Sequence, residues 1–313
     1  PDVYLSDAGM VMLEPYRTDQ IPVVMVHGLY SSPETWVGMF NDLRGDPVIR
    51  ENFQFWFFRY PTGLPIIYSA SLLREELLDM RKTFGADGGD SNFDKMILIG
   101  HSMGGLLTRL MVQDSESYYY DDVFKVGVEE LSMSAEQKEL IRNVLFFEAL
   151  PFIKRVVFIA TPHRGSSEAE TFIAGLGAGF IQMPQQLKDI GNMLKANAAN
   201  LSYVPGKRER PILTSIDQLS PSSSFMEVME GVEIRRDIPY HSIVAIRNSK
   251  TAEGASDGIV TYESAHVDFA VSEKLVPSEH FAQKHPVTIG EIKRILRVHL
   301  AEYRPKTVTF GDQ

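Results

Sequence analysis

The chain has 313 residues, 44% of them hydrophobic and 23% charged, with a formal net charge of −10. Those proportions belong to a folded globular chain, long enough for one large α/β domain with an insertion or for two ordinary domains. The acidic balance argues against a nucleic-acid partner, which wants a basic face, and gives no help in docking on anionic lipid.

Cysteine is absent, which excludes disulfides, thiol chemistry and cysteine-held metal without fixing a compartment. No run of about 18 apolar residues occurs, so no transmembrane helix is expected. The chain begins at Pro1, so a removed leader stays open, and with it export or association with a cell envelope. Oligomeric state is not legible.

Val3–Pro15 carries short apolar pieces broken by Asp7-Ala8-Gly9, which predicts an initial hairpin at a sheet edge. Pro22–Leu29 is apolar almost throughout and ends in His27-Gly28-Leu29. Continuous rather than alternating apolar character marks a strand buried on both faces, as in a parallel sheet. The residue after such a His-Gly, Leu29, can turn its backbone N–H toward a developing oxyanion. His27 itself is read as a strand-end residue in a structural hydrogen bond.

Ser31–Leu43 predicts a helix entered through Ser32 and Pro33, with Trp36, Phe40 and Leu43 on one face. Gln54–Phe58 is an aromatic strand, followed by a turn at Arg59–Gly63 on the same edge as the Leu29 loop. Ser69–Phe84 is an amphipathic helix, with Leu72, Leu73, Leu77 and Met80 at helical intervals. A polar loop, Gly85–Asn92, leads to the next strand.

The stretch Met96–Arg109 runs from an apolar strand through Gly100-His101-Ser102-Met103-Gly104 into an apolar helix. This G-x-S-x-G turn, with that flank, is a nucleophile elbow. A serine on so sharp a strand-to-helix turn needs small residues two before and two after it. Its hydroxyl then projects from the sheet at the positive end of the helix. Ser102 is the candidate nucleophile, and the amide of Met103 the candidate second oxyanion donor.

Asp114–Asp122, with Tyr118, Tyr119 and Tyr120, reads as a solvated turn. Ser134–Gln137 has capping-box spacing and opens a helix that Pro151 stops. Arg155–Ala160 is another buried strand, ending in Thr161-Pro162-His163-Arg164-Gly165-Ser166 at the rim where open α/β sheets bind ligands. From Ser167 to about Asp237 the strand–helix alternation lapses. Roughly 70 residues is too long for a crossover and predicts a helical cap. Within it, the glycines of Phe172–Met183 suit a mobile lid and its apolar residues suit a wall for acyl chains. Ser220–Ser224 reads as a serine-rich loop. Strands follow at Ser242–Ile246 and Lys274–Pro277, with Ser256-Asp257-Gly258 after the first, Ser278-Glu279-His280 after the second, and a closing helix at Pro286–Tyr303.

With VVMVHGL, GHSMGG, TPHRGS, SDGIVTYESA and VPSEH in this order, the chain resembles α/β-hydrolase-fold esterases and lipases. It is similar to a bacterial lipase-like group that shares the TPHRGS turn and the SDG(I/V)V loop with inositol-deacylase-type (PGAP-like) enzymes. The resemblance covers most of residues 20–300 and is weakest in the cap. It implies a mostly parallel central sheet with helices on both faces, a core at 1–165 and 238–313, and an inserted helical cap at 166–237.

It also implies the order serine, acid, histidine. Asp257 leads for the acid, with Asp237 and Asp268 as alternatives. His280 leads for the base; His285 is its rival, while His266 precedes the last strand and His299 lies inside the final helix. Tyr30 and Phe180 are expected to contact substrate. The expected activity is hydrolysis of a small or lipid-like carboxylic ester through an acyl-enzyme, with no cofactor and no metal. Acyl transfer to another acceptor, amide or thioester cleavage, and a non-catalytic binding protein on the same fold are the alternatives. A lipase and a carboxylesterase are not distinguished.

Overall fold

The computed structural model describes residues 8–85, 91–169, 171, 185–202, 214–247 and 252–303. Four strands with few exposed positions form its centre: β2 (Ile21–Val26), β4 (Met96–His101), β5 (Ile153–Ile159) and β6 (Tyr240–Ile246). Side chains alternate between the faces of a strand, so a continuous apolar run feeds two cores at once. Val24, Val26, Met96 and Leu98 face one core, and Val23, Met25, Ile97 and Ile99 the other.

With β1 (Gly9–Met12), β3 (Phe53–Arg59) and β7 (Ser272–Pro277) these strands make a seven-stranded sheet in the order β1-β3-β2-β4-β5-β6-β7. Only the β1–β3 pair is antiparallel; every other pair is parallel. Helices α1 (Val37–Arg44) and α2 (Pro47–Asn52) and the C-terminal helix, here α11 (Pro286–Tyr303), supply residues to the second core. Helices α3 (Ile66–Phe84), α4 (Met103–Leu110), α5 (Tyr118–Val123) and α6 (Ala135–Leu145) supply the first. From β2 the chain moves to β3 on one side and then returns past β2 to β4 on the other. That reversal opens a crevice at the carboxyl ends of β2 and β4.

β1 lies at the edge of the sheet and pairs with β3, with Gly9 opposite Arg59 and Met12 opposite Trp56, and Met10 and Met12 pack on the core there; residues 1–7 of the predicted N-terminal hairpin lie outside the described residues. Two expectations are corrected. The turn read as solvated at Asp114–Asp122 contains α5, and Tyr119 and Tyr120 are 2% and 6% exposed. Tyr119 lies between Phe147 (5.6 Å) and Phe225 (6.0 Å) while its hydroxyl donates to Gln113 Oε1 at 3.3 Å, so ring and hydroxyl are both accommodated. Helix α6 opens with the expected box, Ser134 Oγ accepting from Gln137 N at 3.2 Å, but it stops at Leu145, where Phe146 turns extended well before Pro151.

Residues 166–237 contain α7 (Gln185–Ala196), α8 (Ser215–Leu219) and α9 (Ser224–Gly231). The predicted serine loop serves α9: Ser223 Oγ accepts from Met226 N at 3.2 Å as its N-cap. Leu219, Phe225, Met226 and Met229 join the same apolar cluster as α3 and α4. Phe172–Met183, expected as a lid, lies outside the described residues. Among the described residues no helix is long and apolar enough to cross a membrane.

Helix α4 packs on the sheet at backbone distance. A Cβ on Gly104 would lie 2.3 Å from Val26 O and 2.4 Å from His27 O, whereas one on Gly38 in α1 would meet nothing within 4 Å. Gly104→Ala is therefore expected to cost about 1–3 kcal/mol or more through overpacking. Gly38→Ala should gain about 0.5–1 kcal/mol. Urea midpoints of the two variants check this; equal midpoints would contradict the close approach of α4 to β2.

Candidate active site

Ser102 joins β4 to α4 with φ 54° and ψ −128°, a conformation that an ordinary L-residue holds only when its surroundings impose it. The surroundings here are specific. The Ser102 amide donates to Ile159 O on the neighbouring strand at 2.9 Å. A Cβ on Gly100 would lie 2.5 Å from Gly105 Cα, so the strand and helix meet this closely only because Gly100 lacks one. Met103 begins α4, whose first amides have no partner within the helix.

His280, just beyond β7, places Nε2 2.8 Å from Ser102 Oγ, and its Nδ1 lies 2.8 Å from Asp257 Oδ2. Asp257 follows β6 and is 1% exposed. A carboxylate only accepts, so Nδ1 carries the imidazole proton and Nε2 is left to accept from the serine hydroxyl. The other carboxylate oxygen, Oδ1, accepts from the amides of Ile259 (2.8 Å) and Val260 (2.7 Å). Two amide donors and an imidazole thus take the place of water around a buried charge.

The alternatives lie elsewhere. Asp237 is exposed and pairs with Arg235 at 2.8 Å. Asp268 meets Arg164 (3.5 Å) and His266 (3.4 Å) at the surface. His285 Nδ1 accepts from Val287 N at 3.2 Å at the entry to α11. His299 is enclosed in α11, accepting from Arg155 Nε at 3.1 Å, and burial pushes its pKa down to about 3.

An apolar cavity opens beside Ser102, with Leu29, Pro162, Ala169, Leu219, Ile259 and Val260 in its wall. Leu29, on the loop after β2, lines this cavity together with Ser102. Tyr30, expected to touch substrate, is not among the described residues that line the cavity. Its backbone turns left-handed (φ 51°) and its amide donates to Thr62 Oγ1 at 3.2 Å, tying the Arg59–Gly63 turn to the Leu29 loop. Phe180 lies outside the described residues. His27 stacks on Tyr60 at 4.6 Å and donates Nδ1–H to Gly28 O at 3.0 Å; burial lowers its pKa to about 4. Among the described residues no group of three or more His, Asp or Glu could hold a metal ion.

Sequence reasoning passed over His101. It is fully enclosed, burial lowers its pKa to about 3, and its Nε2–H donates to the backbone carbonyl of His280 at 2.9 Å. The signal was its place at the end of a buried strand, where a polar ring needs a partner. His163 of the TPHRGS turn is likewise neutral, held well below the usual histidine range by burial, with Nδ1 3.4 Å from Arg109 Nη1.

A sequence profile of the family described as "Putative serine esterase (DUF676)" matches residues 19–266, a span that holds Ser102 and Asp257 and stops short of His280. No curated protein matches the sequence. Three solved structures are similar in fold. The Bacillus licheniformis lipase BlEst2 in mature form has a TM-score of 0.50 at 18% identity, covering 93% of this chain and 97% of that one. EstA from Clostridium botulinum has a TM-score of 0.51 at 15% identity, covering 91% and 87%. Staphylococcus hyicus lipase has a TM-score of 0.52 at 14% identity, covering 94% and 97%. The shared architecture is the α/β-hydrolase fold.

The enclosed histidines make stability depend on pH. His27 and His101 are neutral when folded, with pKa about 4 and about 3, against an ordinary 6.5. Below pH 6.5 the unfolded chain binds protons that the folded chain refuses, so stability is complete above that pH and falls as pH drops toward 4. The slope is about 1.4 kcal/mol per pH unit for each such histidine. Urea midpoints between pH 7 and 4.5 should fall accordingly, and His27→Gln should flatten the slope; an unaltered slope in that variant would remove His27 from the account.

Proposed function

The chain belongs to this serine esterase family, and on that footing we propose that it hydrolyses carboxylic esters through an acyl-enzyme formed on Ser102. The observation that carries the reading is the chain of two 2.8 Å contacts, from Ser102 Oγ to His280 Nε2 and from His280 Nδ1 to Asp257 Oδ2, set on an elbow with positive φ.

His280 takes the serine proton at Nε2 as Oγ attacks the ester carbonyl carbon. The C–O double bond opens to a tetrahedral oxyanion, then re-forms as the alcohol leaves with the proton from Nε2. Water repeats the sequence on the acyl-enzyme and frees the acid. Asp257 keeps the tautomer and stabilises the imidazolium during each half. The amides of Leu29 and Met103 receive the oxyanion, where losing one donor typically costs about 2.7–4 kcal/mol.

The apolar wall of the cavity suits a hydrocarbon portion of the ester, acyl or alcohol. We assign residues 166–237 as the cap over this site, because Ser166, Ala169 and Leu219 within that segment help to line the cavity. A net charge of −10 fits a small neutral ester better than a polyanion.

Ser102→Ala should lower turnover of a p-nitrophenyl ester at least about a thousandfold with an unchanged circular dichroism spectrum. His280→Ala should be comparably damaging and His285→Ala mild. Substantial activity in the serine variant would end the assignment, and the opposite histidine ranking would transfer the role of base. A chain-length series of esters then reads what the cap admits: a jump in rate above the solubility limit assigns a lipase, saturation in solution a carboxylesterase.

A further inference from the structure

The mechanism leaves the Thr161–Ser166 turn unused, yet this turn grips the loop that carries Asp257 at several points. Ser166 Oγ–H donates to Ile259 O at 2.5 Å. Ser264 Oγ–H donates to Gly165 O at 2.6 Å, and Ser264 O accepts from His163 N at 2.9 Å. The Arg164 guanidinium donates to Glu263 O (2.7 Å) and His266 O (2.8 Å), within and just after the short helix α10 (Tyr262–Ala265).

The first of these bonds differs from the rest in what lies behind it. Ile259 O and the N–H of Val260 belong to the same peptide group, which is planar and moves as a unit. The Val260 N–H edge of that plane donates to Asp257 Oδ1 at 2.7 Å, and the Ile259 O edge is held by the Ser166 hydroxyl. Hydrogen bonds on the two edges of one peptide polarise it in the same sense, so each strengthens the other.

Ser166 is itself fixed. Its amide donates to Leu219 O at 2.8 Å, and Gly165 reaches φ +79° to deliver it. A Cβ on Gly165 would come within 2.6 Å of the same Leu219 O, so glycine is required there. At 8% exposure, Ser166 lines the cavity that Ser102 and His280 also line.

We propose that Ser166 is a positioning residue for the acid: through the Ile259–Val260 peptide it fixes Asp257 Oδ1, and so aims Oδ2 at His280 Nδ1. The inference rests on Asp257 being the acid of the triad. The TPHRGS turn and the SDGIV loop then work as one device, with the first bracing the second.

A double-mutant cycle on the full chain, with a p-nitrophenyl ester, tests it. Ser166→Ala should lower kcat about 10- to 100-fold, the scale on which slight misplacement of a catalytic group is felt, with KM changed less than about threefold. Ser166→Thr, which keeps the hydroxyl, should restore most of the rate. In an Asp257→Ala background, adding Ser166→Ala should change the residual rate less than about twofold, because a residue that acts through Asp257 has nothing left to act on. A double variant slowed by the full product of the single effects overturns the inference and leaves Asp257 as the acid. A Ser166→Ala effect on KM alone also overturns it, by making the hydroxyl a substrate contact. An Asp257→Ala enzyme as fast as the parent overturns the acid assignment and this inference together.

Discussion

One backbone conformation constrains everything around the site. Ser102 sits at φ 54°, and a residue held in such a region costs of order 1–3 kcal/mol and persists only where its neighbours over-determine it. They do so by proximity. Gly104 lies against the carbonyls of Val26 and His27, Gly100 against Gly105, and Gly105 against the Thr161 side chain. Four structural pieces (β2, β4, α4 and the turn after β5) are thereby locked at backbone contact distance. Every residue of α4 is buried, so the packing that offsets the strain is also the packing that aims the serine.

The second organising feature is the way charge is handled in an enclosed site. Asp257 is the charged member, and its oxygens are occupied by two amides and an imidazole. The neighbouring imidazoles of His27, His101 and His163 are kept neutral by burial. They serve as rigid hydrogen-bonding plates, and His101 uses its one N–H on the carbonyl of His280. The buried Arg109 guanidinium donates to Met229 O at 2.6 Å, and burial pushes its pKa down to about 10. That bond ties the elbow helix to α9, joining the segment read as the cap to the element that carries the serine.

Much of this was legible in the chain. The continuous apolar runs at Pro22–Val26, Met96–Ile99 and Val156–Ile159 could only be strands covered on both faces, and the carboxyl ends of such strands are where ligands sit. The capping spacing at Ser134 and Gln137 is a local bond and was readable as one. The tyrosines of α5 were not: Asp114–Asp122 is polar by composition, and only Phe147 and Phe225, brought in from distant sequence, bury Tyr119. Helices α8 and α9 escaped for a similar reason, since five and eight residues are too few to establish a period.

The sequence by itself determined the chemistry on offer: an elbow serine, acids and histidines at strand ends in the right order, and glycines where strand and helix must touch. These are local requirements, and each is written within a few residues. Which acid and which histidine meet was decided by the tertiary structure, because Ser102, Asp257 and His280 lie on loops after β4, β6 and β7 and their distances depend on strand order. The same holds for Ser166. Its hydroxyl and the Ile259 carbonyl are 93 residues apart in the chain and 2.5 Å apart in space, and no spacing rule connects a turn after β5 to a peptide after β6 until the sheet sets them side by side.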